Sequence, residues 1–201
     1  MRGHPTRGFT LIDLLVVITI TGTIAGTMTV VFSDLSARSA VALRSREAHT
    51  LANSMLAEVK SMPFTYCDAN DPRVATAQRA LLGAGATRCN TAVDGLDPEP
   101  GETRYGPGLR FDGVSDYQGF TMPGPGCATL CDRNGAPLPV AGRLAGCSLA
   151  VAVAPVALPG LAALDIDGRP QALRIVATVR CPGVADSVAE AVRVRHSPNS
   201  R

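Results

Sequence analysis

Gly8-Phe9-Thr10-Leu11-Ile12-Asp13-Leu14-Leu15-Val16-Val17-Ile18-Thr19-Ile20-Thr21 decides the fold of this 201-residue chain. A short basic leader, Met1 to Gly8, precedes an apolar run that reaches Phe32. From Phe9 to Phe32 there is no Lys, Arg, Glu or Pro, and about 20 apolar residues span a bilayer core of roughly 30 Å. Thr10, Thr19, Thr21, Thr23, Thr27 and Thr29 dilute the hydropathy. A helical threonine can return its hydroxyl to a carbonyl one turn back. Gly22 and Gly26 stand four residues apart, a spacing that lets helices approach closely in lipid. Arg2 and Arg7 precede the span and no acid does, which predicts a cytoplasmic amino end.

Asp13 is the one charge in this run. A carboxylate inside a span costs about 2.5–3.5 kcal/mol on insertion scales, so it reads as functional and demands a partner. An ordinary secretory signal is the rival reading of this end. It needs an apolar core of roughly 7–15 residues and then a small-residue cleavage site. Here the run is longer, and Thr23-Ile24-Ala25 is a poor site. An uncleaved membrane anchor is the third reading.

The helix predicted from Phe9 continues past the span. Ala48, Leu51, Ala52, Met55, Leu56, Val59 and Met62 recur at spacings of three and four, while Glu47, Thr50, Ser54, Glu58 and Ser61 fall on the other side. Residues 33–62 therefore form an amphipathic helix with one face to lay on a globular head, and Pro63 stops it. The head, residues 63–201, is rich in turn formers: the chain holds 20 Gly and 15 Pro, concentrated after residue 83. Residues 64–110 read as irregular, with a further helix possible from Pro72 to Leu82. Ser148–Val156, Ala172–Val179 and Ser187–Val194 read as three strands of an antiparallel meander. The fold class is α+β.

Six cysteines, Cys67, Cys89, Cys127, Cys131, Cys147 and Cys181, all lie beyond the span. An even number on the oxidising side of a membrane favours disulfides, and the absence of any C-x-x-C argues against zinc. Cys67 and Cys89 bracket one loop. If the first strand turn centres near Leu164, Cys147 and Cys181 fall opposite each other, close enough for a bond; Cys127 and Cys131 remain rival partners of Cys147.

The leader and the run after it resemble the class III signal of type IV pilins and pseudopilins, whose usual form is G-F-T-L-I-E. The resemblance implies cleavage between Gly8 and Phe9 by prepilin peptidase, methylation of the new Phe9 amine, and filament assembly through the exposed apolar helix. It implies that Asp13, a methylene shorter than the usual Glu, pairs with an N-terminal amine of its own or a neighbouring subunit. Three later stretches, Glu58–Asp68, Ser115–Met122 and Ala191–His196, resemble minor pilin-like proteins of MSHA pilus biogenesis. That family implies a long helix on an antiparallel sheet, a single-pass inner-membrane precursor with a periplasmic head, and then a place in the pilus at the cell surface. The implied partners are the peptidase, other pilin subunits, the inner-membrane assembly platform and the inner membrane itself. A minor pseudopilin of a type II secretion system is the nearest alternative, and a membrane-anchored periplasmic binding module is the alternative of another class.

Other chemistry is thinner. Asp68, Asn70 and Asp71 offer oxygens of the kind that some pseudopilin heads give to calcium, but turn formation and capping explain the same residues, and they do not fit an EF-hand loop. Arg174, Arg180, Arg193, Arg195 and His196 make either a basic patch or a solvated sheet face. The formal charge of +2 falls to 0 when Arg2 and Arg7 leave with the leader, so no nucleic-acid partner is expected. Tyr117 and Phe120 read as core or loop anchors. No cofactor motif and no nucleophile signature accompany His49 and His196, which excludes an enzyme reading.

Overall fold

A computed structural model describes residues 10–105 and 108–195. The leader, the cleavage and methylation positions Gly8 and Phe9, and His196 lie outside the described residues. The chain divides into two units, one up to Leu43 and one from Arg44 onward. Helix α1 runs from Leu11 to Ser61, through the predicted span and the predicted amphipathic segment.

Up to Leu43 every described residue is exposed. Apolar side chains dominate this surface: Leu11, Ile12, Ile18, Met28, Phe32 and Leu35 are each at least 59% exposed. The segment is long and apolar enough to cross a membrane. Its threonines satisfy themselves on the helix. Thr19 Oγ1 donates to Val16 O at 2.9 Å, Thr23 Oγ1 to Ile20 O at 2.9 Å, and Thr29 Oγ1 to Ala25 O at 2.8 Å. In hydrocarbon that matters, because no water is present to take the hydroxyl.

From Arg44 onward the chain has an ordinary core. Ala48, Leu51, Ala52, Met55, Leu56 and Val59 of α1 are buried, the residues that the three-and-four spacing picks out. Strands β1 (Thr121–Met122), β2 (Ser148–Pro155), β3 (Ala172–Arg180) and β4 (Ser187–Val194) form one antiparallel sheet in chain order. Alternation puts Leu149, Val151, Val153, Leu173, Ile175, Ala177 and Val179 into the same core as the helix stripe. The fold is one long helix with its later part packed on a four-stranded sheet. Two-residue β1 is the strand that the sequence pattern does not reveal.

Register follows the expected centre. Ser148 pairs with Arg180 and Leu149 with Val179, so Cys147 and Cys181 meet just beyond the paired ends and are disulfide-bonded. The other bonds are Cys67–Cys89 and Cys127–Cys131, and no cysteine is free.

The helix expected over Pro72–Leu82 does not form; the segment is a series of turns. Its first donors make isolated turns, Ala77 N–H reaching Arg73 O at 2.9 Å, and the next two go elsewhere. Gln78 N–H and Arg79 N–H both reach Thr87 O, at 2.9 and 3.1 Å, instead of carbonyls one turn back. The Cys67–Cys89 bond and the buried Ala77 hold the loop closed. Apolar spacing alone does not weigh such long-range partners.

Candidate functional site

Among the described residues, polar and charged side chains gather at the start of α1, in a layer between the later part of α1 and the loops that cover it, and around a cleft beside that layer.

At the start of α1, Asp13 is the third helical residue and Thr10 stands at the N-cap position. Asp13 Oδ2 accepts from Thr10 N–H at 3.1 Å and from Thr10 Oγ1 at 2.7 Å. The Asp13 carboxylate is therefore hydrogen-bonded within its own first turn.

The polar layer centres on Glu58. Helical periodicity places Glu58 on the solvent side of α1, but its side chain is only 16% exposed. Arg104, itself 5% exposed, grips it with two bonds, Nε to Oε1 at 2.8 Å and Nη2 to Oε2 at 2.7 Å. Tyr117 Oη donates to Glu58 Oε1 at 2.8 Å. The third guanidinium nitrogen of Arg104 donates to Cys131 O and Asp132 O, at 3.1 and 3.2 Å. Burial pushes the Glu58 carboxyl up, but Arg104 and Tyr117 outweigh it and hold the group below its ordinary value. Glu47 is likewise drawn in, paired with Arg143 at 2.6 Å. Both acids correct the simple two-faced helix: an apolar stripe predicts where hydrocarbon goes, and long-range ion pairs decide the positions on its flanks.

Tyr117 and Phe120 are packing residues. Phe111 meets Tyr117 edge to face at 5.1 Å, and Phe120 stands 6.1 Å from both Tyr105 and Tyr117. Gly126 is what lets Tyr105 in: at φ +79° it carries no side chain, and a Cβ there would lie 2.9 Å from the ring.

Beside these rings lies a cleft lined by Glu102, Arg104, Tyr105, Phe111, Asp116 and Phe120, among others. Carboxylate oxygens of Glu99, Glu102 and Asp116 lie within 4.8 Å of one another here. Burial raises the Asp116 carboxyl to about 6, against the N–H groups of Gly113 and Asp112 that favour its charge. Burial and a carboxyl–carboxyl hydrogen bond with the Glu99 side chain push Glu102 up as well, against the Glu99 N–H that donates to Glu102 Oε2. Asp94, buried and taking a 2.5 Å bond from Ser115 Oγ, is raised to about 7 by burial. None of these acids stands out in the sequence, because they are scattered through Gly/Pro-rich loops. The signal was a density of acids from Asp94 to Asp116 that a turn explains equally well.

The calcium candidates are occupied by the chain itself. Asp71 Oδ2 accepts from the N–H groups of Asn90, Thr91 and Ala92, at 2.8, 2.6 and 3.1 Å. Asp68 Oδ1 caps Asn70 N–H at 2.7 Å, and Asn70 Nδ2 donates to Asp112 at 2.9 Å. The Asp68 bond closes a turn, whereas those of Asp71 Oδ2 and Asn70 tie this segment to residues 90–92 and to Asp112.

Three of the tail arginines are engaged with other groups. Arg174 pairs with Glu190 and Arg180 with Asp186. Arg195 stacks over Phe64 at 4.5 Å and Tyr66 at 5.1 Å, and donates to Thr65 O and Pro170 O, each at 2.9 Å. Tyr117 and Arg195 thus join the stretch Glu58–Asp68 to the Tyr117 turn and to the end of β4. Tyr117 bonds Glu58, and Arg195 clasps Phe64, Thr65 and Tyr66.

No family model, curated protein or solved structure matches this chain.

Proposed function

We propose that the chain is a minor pilin-like subunit, cut between Gly8 and Phe9 by a prepilin peptidase and built into, or initiating, a type IV pilus of the MSHA kind. One observation carries this reading. A single helix presents more than thirty consecutive exposed residues, mostly apolar with one carboxylate in the first turn, and then becomes the buried spine of a disulfide-bonded α+β unit. A soluble protein gains nothing from such a surface, whereas a bilayer first and packed neighbouring helices later both cover it.

The disulfides support an oxidising location for the unit that carries them. In this reading the precursor crosses the inner membrane once, the folded unit stands in the periplasm, and assembly carries it to the cell surface. Other pilin subunits and the assembly platform are its partners. The mutual packing of the helix exit, the Tyr117 turn and the end of β4 supports treating the three resembling stretches as one feature of the fold.

The test is the mature N-terminus. Mass spectrometry of the protein from cells with a functional prepilin peptidase is expected to find N-methylated Phe9, and Gly8→Ala is expected to leave only precursor in the inner membrane. An intact Met1, or a cut beyond Ala25, overturns the proposal. Recovery with sheared pili assigns the client machine, and recovery only with a secretion apparatus shifts it to a pseudopilin.

A further inference from the structure

Filament assembly asks for a carboxylate near the start of the helix; it does not ask that the carboxylate be bonded beforehand. Here it is. Besides the two bonds that Asp13 Oδ2 accepts from Thr10, the Asp13 N–H donates back to Thr10 Oγ1 at 3.3 Å. The arrangement is a reciprocal helix cap, with Asp where Glu or Gln is usual. The first N–H groups of a helix have no partner within it, and in hydrocarbon each unpaired group costs several kcal/mol. The cap satisfies two of the donors at this end.

The bonds also divide the carboxylate. Both contacts from Thr10 fall on Oδ2, and among the described residues Oδ1 receives none. One oxygen is committed to the chain's own first turn and the other is left for an incoming donor.

We infer that Thr10 is a positioning residue for assembly: it holds the Asp13 carboxylate in one rotamer before a positive partner arrives. This rests on the pilin reading for the arrival of that partner. Two physical effects follow. The rotamer entropy is lost when the helix forms and not when subunits meet, which favours association. A carboxylate already hydrogen-bonded is also better tolerated in the membrane, where the precursor waits.

The substitutions that test this are Thr10→Val, which keeps shape and removes the hydroxyl, and Thr10→Ser, which restores it. The measured quantity is incorporation into sheared filaments per processed subunit, so any effect on cleavage is normalised away. Thr10→Val is expected to lower incorporation about fivefold, the usual worth of a side-chain cap, and Thr10→Ser to return it to within about twofold. Thr10→Val combined with Asp13→Ala is expected to be no worse than Asp13→Ala alone. Amide exchange at Thr10 in detergent micelles reads the cap without any assembly, and is expected to be faster in Asp13→Ala than in the wild type.

Equal exchange in those two proteins overturns the cap itself. Normal incorporation of Thr10→Val, or independent losses that multiply in the double variant, overturns the positioning role. A wild-type chain neither cut after Gly8 nor found in filaments fails the pilin reading and takes the positioning role with it; the exchange measurement still reports on the cap.

Discussion

Helix α1 is one element with two environments. Up to Leu43 its surface is apolar and exposed on all sides; from Arg44 to Ser61 one face is buried in a core and the other is wet. The backbone geometry is the same. What differs is the solvent each segment is written for. The first offers aliphatic residues all round and returns its threonine hydroxyls to its own carbonyls, as a lipid-facing helix must. The second confines its apolar residues to a stripe and spends its polar ones on ion pairs with distant loops.

Two of the acid–arginine pairs that involve α1 show the contrast most directly. Glu58 and Arg104 are buried and joined by two short bonds, whereas Asp34 and Arg38 lie one turn apart, 78% and 57% exposed on the arginine and aspartate sides. Glu58→Ala leaves a buried guanidinium without its carboxylate and is expected to cost the folded unit about 3–5 kcal/mol. Asp34→Ala is expected to cost about 0.5 kcal/mol or less. Denaturant unfolding of the detergent-solubilised full chain, followed by tyrosine signals, measures both. Equal effects would erase the distinction between the two segments.

Disulfides come next. Cys147 and Cys181 close a loop of sequence separation 34. Replacing both with serine is expected to lower the stability of the folded unit by about 3–4 kcal/mol, while the helical signal of the segment up to Leu43 is retained. An unchanged unfolding midpoint would show that the core alone holds the strands β2 and β3 together.

Methionine supplies a matched pair. Met55 is 2% exposed in the core and Met28 is 61% exposed. Met55→Ala is expected to cost about 2–5 kcal/mol through lost burial and a cavity. Met28→Ala is expected to stay within about 0.5 kcal/mol for the same unfolding transition. If Met28→Ala proved as costly, the first segment would have to be packed in solution.

Stability is also expected to depend on pH. Asp94 and Asp116 are raised to about 7 and about 6, and Glu102 is raised too, so the folded unit binds protons that the unfolded chain releases. Their contribution is present at low pH and is lost as pH rises through those values. Asp71 has the opposite sign. Burial raises it, but the N–H groups of Thr91, Arg73 and Ala92 hold it well below the ordinary range, so its contribution is lost as the pH falls below about 4. The folded unit is expected to be most stable near pH 4, and less so at pH 8. A stability that rises steadily from pH 5 to 8 would show that the loop acids are charged in the fold.

Much of the architecture was legible because it depends on local pattern. The three-and-four spacing from Ala48 to Met62 named the buried face of α1, and apolar, Val-rich runs between turn residues named β2, β3 and β4 to within a residue at each end. Even the opposition of Cys147 and Cys181 came from a turn centre and arithmetic. The failures share a cause. The segment Pro72–Leu82 has plausible helical composition, yet Thr87 O captures two of its donors. Glu58 looks solvent-facing by its position on the helix wheel, yet Arg104, 46 residues on, buries it.

By itself the sequence determined the apolar span, the place where the helix stops, the Val-rich strand runs and the position of Asp13 within the span. Those are matters of composition, of helical period and of short runs between turn residues. Only the tertiary structure decided that Glu58 joins Arg104 and Tyr117, that Arg195 clasps the helix exit, and that the loop acids gather beside one cleft. These arrangements depend on which side chains meet across space, and a one-dimensional pattern holds no record of such meetings until the chain has closed on itself.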